Sequence, residues 1–301
     1  MNILVAGFGG MIGTRLSALF GEDGHQLIRL VRPGSKSRAG EQTREWNPAE
    51  GLLDPAHLAG IDAVIHLGGV NIAEKRWSTA FKRAMRDSRI LTTGLLAETM
   101  AAMEQPPACF LCASAVGFYG DRRDSILTET EPAGEDFLAR LVADWESATS
   151  PAQAAGVRVV NLRIGIVLDA EGGALTKMLT PFRLGLGGYL GDGSQYMSWI
   201  SLDDVTRAIH FCLQQDQAEG PVNLAAPEAV TNKVFSKALA KNLHRPALLP
   251  VPAFMIRTLM GEMGQSLVLC STRAVPKKLE ALGFQFNHTR VDAALAAALK
   301  G

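Results

Sequence analysis

The sequence predicts an α/β fold: a doubly wound parallel sheet with a smaller region appended on its C-terminal side. Three observations carry that expectation. The chain opens on an apolar strand, a glycine turn and an amphipathic helix in immediate succession, from Met1 to Gly24. Short apolar runs then alternate with helical patterns as far as Arg163, the rhythm of a parallel sheet with helical crossovers. After Ile166 that rhythm breaks into a glycine-crowded stretch holding Gly172, Gly173, Gly185, Gly187, Gly188, Gly191 and Gly193.

Ile3 to Ala6 is apolar, partly β-branched and ended by glycine, which reads as a short buried strand. Met11, Ile12, Leu16, Leu19 and Phe20 then fall at helical spacing. Between the two, Gly7, Gly10 and Gly13 follow one another at a spacing of three. Strand, glycine turn and helix in this order is the context in which such a motif means dinucleotide binding. Gly7 allows the tight turn, Gly10 lets the backbone approach a pyrophosphate, and Gly13 lets the helix pack closely. The helix N-terminus then offers N–H groups and a positive dipole end to the phosphates.

His25 to Val31 is the second strand. In an NAD-binding protein an acid near the end of this strand holds the ribose 2′-hydroxyl. Here no acid stands between Asp23 and Glu41, and the stretch holds Arg29, Arg32, Lys36 and Arg38 instead. Arg32, at the strand end, suits a 2′-phosphate, so NADP(H) is the expected cofactor. Thr43 to Trp46 is a short third strand, and Ile61 to Leu67 a fourth, ended by Gly68 and Gly69 at the edge that would border the cofactor. His66, inside that strand, reads as a packed core histidine.

Trp77 to Met103 is a long helix closed by Pro106 and Pro107, and Ala108 to Ala113 is the fifth strand. Ser114 is expected just past it, facing the cleft, and Ala115 to Gly120 as a glycine-interrupted loop. Phe137 to Ala154 reads as one helix and Val157 to Arg163 as the sixth strand. Asp203 to Leu213 returns to helix, Val222 to Leu224 to strand, and Thr231 to Leu243 to a helix with Thr231 as cap. Pro252 to Met260, Thr272 to Leu282 and Thr289 to Leu299 form a helical tail. The division expected is a nucleotide-binding core over 1–165, completed by about 202–225, with 166–201 and 226–301 as a smaller substrate-side region. Arg183, Tyr196 and Trp199, set among the glycines, are its expected substrate contacts.

Composition narrows the function classes. The 301 residues carry 30 basic and 30 acidic side chains, and a net charge of zero argues against a nucleic-acid or anionic-membrane binder. No apolar run reaches the length of a membrane span, and the N-terminus shows no secretory pattern, so a cytoplasmic protein is expected. Cys109 and Cys112 form a CxxC, but in a strand their spacing puts them on opposite faces. No second pair completes a zinc site there, and no metal is expected.

The motifs together resemble a family. GxxGxxG at Gly7, Gly10 and Gly13, VIHLGG at Val64 to Gly69, SAVGFYG at Ser114 to Gly120 and WISLDDV at Trp199 to Val205 look like an extended short-chain dehydrogenase/reductase. RW at Arg76 and Trp77, SR at Ser88 and Arg89, DWE at Asp144 to Glu146, LRIGIVLDAEGGAL, PFRLGLGG and TRAVPKKLEALGF are similar to its atypical, epimerase-like branch, the YfcH-like proteins. The resemblance implies a Rossmann domain, a smaller C-terminal substrate region, and action on nucleotide sugars or related hydroxyl compounds. Carried over by motif, cofactor contacts fall on Gly7, Gly10, Met11, Ile12, Arg32, Leu67, Gly68 and Arg89, with the backbone near Ile166 bordering the nicotinamide. A small-molecule substrate is the expected partner and a homodimer the candidate assembly.

The chemistry departs from that pattern. The parent family uses a serine, Tyr-x-x-x-Lys and an upstream asparagine. Ser114 matches the serine, but aligning DWE puts Leu138 and Val142 at the tyrosine and lysine positions and Arg89 at the asparagine. The three tyrosines, Tyr119, Tyr189 and Tyr196, are followed four residues on by Arg123, Gly193 and Ile200, so no Tyr-x-x-x-Lys exists. The candidate catalytic residues are therefore Ser114 on the substrate oxygen, Arg89 as its electrostatic partner, and Tyr119, which mimics the spacing with Arg123. Two functions follow: an NADP-dependent oxidoreductase or epimerase with a rearranged proton donor, or a catalytically silent NADPH-binding sensor or interaction protein.

Overall fold

The computed structural model describes residues 1–35, 40–247 and 250–300. Seven strands build one parallel sheet: β1 (Asn2–Ala6), β2 (Gln26–Val31), β3 (Gln42–Glu45), β4 (Ala63–His66), β5 (Cys109–Ala115), β6 (Arg158–Ile164) and β7 (Gly220–Leu224). Their order across the sheet is β7-β6-β5-β4-β1-β2-β3. The winding reverses between β1 and β4, which opens a crevice at the carboxyl ends of those two strands.

The inner strands are mostly apolar because helices cover both faces, with polar residues such as His66, Ser114 and Arg163 toward their carboxyl ends. The helices are α1 (Met11–Glu22), α2 (Thr79–Ala101), α3 (Phe137–Ser147), α4 (Ser150–Ala154), α5 (Gly173–Arg183) and α6 (Leu202–Gln214). α1 and α6 cover one face, where Leu16, Phe20, Val205 and Ile209 pack on Ile3, Val5 and Leu162. α2, α3 and α4 cover the other, where Leu96, Met100, Trp145 and Ala152 pack on Leu4, Val64 and Phe110. Cys109 lies in the first of these cores and Cys112 in the second, as their odd spacing requires, and all four cysteines are free. Burial pushes the Cys109 thiol up to about 11 and the Cys112 thiol up to about 12, so both stay protonated.

Beyond Gly165 the chain leaves the sheet. Ile166–Leu168 pairs with Trp199–Ser201 in a separate parallel ladder. The remaining helices are α7 (Asn232–Asn242), α8 (Ala253–Met260), α9 (Glu262–Leu267), α10 (Lys277–Ala281) and α11 (Val291–Ala298). α5, α7 and α11 enclose their own core of Leu175, Leu179, Phe182, Phe235, Leu239 and Leu295. Thr231 does cap α7, its hydroxyl accepting from the Val234 N–H. No helix among the described residues is long and apolar enough to cross a membrane.

Four local expectations are corrected. The span 137–154 is two helices, because Pro151 lacks an N–H and sits in the first turn of a new helix. β5 runs through Ala115, so Ser114 lies inside the strand and not beyond it. Val116–Tyr119 is a turn of 3₁₀-helix and not a loop. The tail 272–282 begins as extended chain, with Arg273–Ala274 paired to Ile126–Leu127, and turns helical only after Pro276.

Candidate functional site

The crevice begins at the glycine turn. Gly7 has φ +85°, and a Cβ there would lie 2.5 Å from the Gly68 nitrogen, so only glycine lets β1 and the end of β4 close together. A Cβ at Gly13 would lie 2.5 Å from the Phe8 carbonyl oxygen, so the close approach is between α1 and the turn itself. Gly10 differs: a Cβ there meets only Gly7 O, at 3.7 Å. The protein's own packing does not demand glycine at that position, whereas a ligand resting on the backbone would. No side chain caps α1 at Gly10, and its first backbone bond is Thr14 N–H to Gly10 O. The leading N–H groups of α1, those of Met11 and Ile12 among them, therefore have no intrahelical acceptor, the setting in which a helix N-terminus can hold an anion. The Met11 sulfur packs where a Cβ on Gly172 would lie, 3.1 Å away, which joins this turn to the start of α5.

Arg89 and His66 sit beneath the turn that follows β4. The Arg89 guanidinium donates to Val70 O at 3.0 Å and Met85 O at 3.2 Å, and lies 5.0 Å from the Trp145 ring centroid. It packs directly under Gly69, where a Cβ would come within 3.1 Å of its Cζ. Burial lowers its pKa to about 10, with no compensating acid, and no ion pair joins it to a carboxylate among the described residues. It remains a cation at neutral pH without an anionic partner. His66 is buried and held neutral. Its Nε2 faces the Thr92 hydroxyl at 3.0 Å, and that hydroxyl already donates to backbone carbonyls, so the imidazole donates here. Its Nδ1 is left to accept from the Gly68 N–H at 3.4 Å. Burial first, then the Arg89 charge, lowers its pKa to about 4.

Arg32 stands exposed directly after β2. Arg29, earlier in the same strand, is ion-paired to Glu41 and lies 5.2 Å from the Phe8 ring centroid. Lys36 and Arg38 lie outside the described residues. Leu67 continues the β4 line, its N–H donating to Ala6 O at 2.8 Å. The Ile166 N–H donates to Ser198 O at 2.8 Å, which turns the backbone after β6 across the sheet edge. The loop after β4 is clasped from the C-terminal side: Lys177 Nζ donates to Ala73 O at 2.6 Å, and Lys82 pairs with Glu262 at 2.5 Å.

The β5 and β6 ends carry a different arrangement. The Ser114 hydroxyl, only 3% exposed, donates to Glu146 Oε1 at 2.6 Å. Arg163 grips the same carboxylate with two N–H groups, Nε to Oε1 and Nη2 to Oε2, both at 2.8 Å. Arg163 Nη1 also donates to the Tyr119 hydroxyl at 3.0 Å, which in turn donates to Asn223 Oδ1 at 2.7 Å. The Phe118 ring lies 3.5 Å from the guanidinium. Asn223 Nδ2 and the Glu129 carboxylate extend the network to Val275 and Lys278 of the tail. Sequence reasoning missed Glu146, Arg163, Asn223 and Glu129. The DWE and LRIGIV motifs contained the first two, but nothing in their local spacing shows that they meet.

This arrangement corrects the catalytic expectations. Ser114 is buried and donates its hydrogen bond to Glu146 of α3, so its hydroxyl hydrogen is already engaged within the protein. Tyr119 is fully buried, and its partner is Arg163, not Arg123, whose backbone sits at φ +53° in the following turn. Burial raises the Tyr119 pKa, with Arg163 opposing the rise, so the phenol stays protonated. Trp199 is corrected as well. It is 0% exposed in the C-terminal core, its Nε1 donating to Glu228 O at 2.9 Å, and cannot touch a ligand in this conformation. Arg183 is exposed at the end of α5, its carbonyl accepting from Arg245. Tyr196 is half-buried under the Arg273 guanidinium, 4.6 Å from its ring centroid. These three residues occupy three separate settings.

Comparison with known proteins decides the family. Residues 3–225 match the NAD dependent epimerase/dehydratase family. The chain belongs to that family. Residues 251–298 match a domain of unknown function, DUF1731. An epimerase family protein of Mycobacterium tuberculosis is 44% identical over 97% of this chain and 96% of its own length. Human epimerase family protein SDR39U1 (isoform 2), in a crystal structure with NADPH, superposes with a TM-score of 0.89 at 31% identity, covering 100% of both chains. A nucleoside-diphosphate sugar epimerase from Corynebacterium glutamicum superposes with a TM-score of 0.81 at 35% identity, over 99% of this chain and 58% of that one.

Proposed function

We propose that this member of the epimerase family is an NADP(H)-dependent oxidoreductase or epimerase acting on a small hydroxyl or carbonyl compound, a nucleotide sugar being one such class. The observation that carries this reading is the pairing, across the β1–β4 crevice, of an uncapped helix N-terminus with a half-buried arginine that meets no acid among the described residues. Both are suited to an anionic, polyhydroxyl cofactor. The NADPH bound to human SDR39U1 supports the choice of cofactor. Gly7, Gly10, Met11, Ile12, Gly13, Leu67, Gly68 and Arg89 would hold it, the backbone near Ile166 would border the nicotinamide, and Arg32 would take the 2′-phosphate. When bound, the nicotinamide supplies or accepts a hydride. The substrate side would be built from 166–201 and 226–301, with Arg183 and Tyr196 at its surface.

Tyr119 lies locked in the Arg163 network, so proton exchange falls to a water or to a group on the substrate itself. Ser114, whose hydroxyl donates a hydrogen bond to Glu146, braces the strand beneath the site. The locked tyrosine also favours a second reading, an NADPH-binding sensor without turnover. Following NADPH oxidation by a panel of carbonyl compounds and NADP+ reduction by nucleotide sugars under single-turnover conditions, with product analysis for an inverted stereocentre, separates the two. Turnover that survives Tyr119→Phe within about tenfold fits the first reading; a loss of a hundredfold or more, the usual worth of an acid or base, assigns the proton to Tyr119. No turnover on any substrate, with NADPH bound, leaves the sensor.

A further inference from the structure

Asp23, His25 and His210 meet at the amino edge of the sheet, on the side away from the crevice. Asp23 closes α1, His25 directly precedes β2 and His210 lies in α6. One ligand atom from each lies within 4.8 Å of the others. Two features of this cluster are unresolved by the protein alone. His210 Nε2 stands 3.0 Å from Asp23 Oδ2 and also 3.0 Å from the Gln214 amide nitrogen. A single ring nitrogen cannot serve both, because it either donates a proton to the carboxylate or accepts one from the amide. In addition, His25 Nε2 is buried with no hydrogen-bond partner, while its Nδ1 faces the Met1 amino nitrogen at 3.4 Å. Both imidazoles pack edgewise around Phe20, with ring centroids 5.7 and 5.4 Å away, which holds them on an apolar floor.

We propose that Asp23, His25 and His210 form a binding site for a divalent transition-metal ion, zinc by preference, which ties the end of α1 to α6. Two imidazole nitrogens and one carboxylate oxygen are a zinc donor set, with a further position for water or the Gln214 amide oxygen. The 3.0 Å separation of Asp23 Oδ2 from His210 Nε2 fits two ligands each about 2.0–2.1 Å from one ion. An ion there takes the His210 lone pair, removes the conflict with Asp23, and lets Gln214 turn its oxygen inward. A second cluster, Asp203, Asp204 and His288, is different in kind. The buried Asp204 carboxylate there already accepts from Ser201, Arg207 and the N–H groups of Asn287 and His288. It needs no ion and serves as the control.

The test uses the full chain, freed of metal by a chelator. Zinc is titrated by calorimetry, and cobalt serves as a spectroscopic probe of tetrahedral ligation. One equivalent of zinc should bind saturably and raise the thermal midpoint, because an ion that binds only the folded state stabilises it. His25→Ala and His210→Ala should each weaken zinc by at least about tenfold and lose the rise in midpoint. His288→Ala should keep both. Unchanged NADPH binding shows that each variant is folded, and Asp23→Asn carries the same test if a histidine variant is not. The proposal is overturned by the absence of saturable zinc binding at millimolar concentration. Wild-type zinc affinity in His25→Ala and His210→Ala, or a loss in His288→Ala, overturns it equally.

Discussion

The two walls of the crevice treat an arginine withdrawn from solvent in opposite ways, half-buried on one and buried on the other. On the β1–β4 wall, Arg89 is held by two carbonyls and an indole face, and no carboxylate answers its charge among the described residues. On the β5–β6 wall, Arg163 is only 4% exposed, but Glu146 meets it with both oxygens and Tyr119 with its hydroxyl. A partly desolvated charge without an acid gains from a ligand of opposite sign, whereas a fully paired one is already satisfied. The first wall is therefore the one we propose as the binding surface. The second is a brace that joins β5, β6, β7 and α3 to the tail.

The largest effect should come from breaking the brace. Arg163→Ala leaves the half-buried Glu146 carboxylate beside Ser114 without its cation, at a cost of about 3 kcal/mol in urea unfolding. NADPH affinity per folded molecule should hardly change. A fully stable Arg163→Ala variant that no longer binds NADPH would reverse the roles of the two walls.

His66, under the binding wall, gives the next effect through pH. Its folded pKa is lowered to about 4 from an ordinary 6.5. As pH falls, the unfolded chain takes up this proton first. The stability is therefore full above about pH 6.5 and is lost as pH falls toward about 4, by up to roughly 3 kcal/mol. Unfolding of wild type and His66→Gln should diverge between about pH 7 and about pH 5, and a constant difference across that range would contradict the assignment.

Arg89→Ala is the smaller, sharper test. No carboxylate is orphaned by it, so stability should fall by less than in Arg163→Ala. NADPH affinity should drop by about 1.5–3 kcal/mol, the loss of a charge-assisted hydrogen bond. If the variant binds NADPH like wild type, the unpaired cation serves some other purpose.

The same contrast explains what the sequence could reveal. The strand, glycine turn and α1 were legible because the signal is local, a spacing of glycines next to an apolar run. His66 was legible as a core residue because its neighbours Val64 and Ile65 are apolar. The brace was not, because its contacts join distant residues: Ser114 to Glu146, and Tyr119 to Asn223. The end of β5 is not marked either: no breaker follows Ala113 until Gly117, and the strand runs on through Ser114 to Ala115 before a 3₁₀ turn. Trp199 lies among glycines and looked like a pocket wall, but its indole N–H found the Glu228 carbonyl, and the ring filled the C-terminal core. The break before α4 is marked only by Pro151, and the helical periodicity on either side of it reads as one continuous helix.

The measurement that bears most directly on the binding wall is a calorimetric titration of NADPH and NADH into wild type and Arg32→Ala. With Arg32 exposed at the end of β2, NADPH should bind wild type at least about tenfold more tightly than NADH, the worth of one charge-assisted phosphate contact. Arg32→Ala should bring the two affinities together by weakening NADPH alone. Equal affinities in wild type, or a preference that Arg32→Ala leaves intact, would contradict the account.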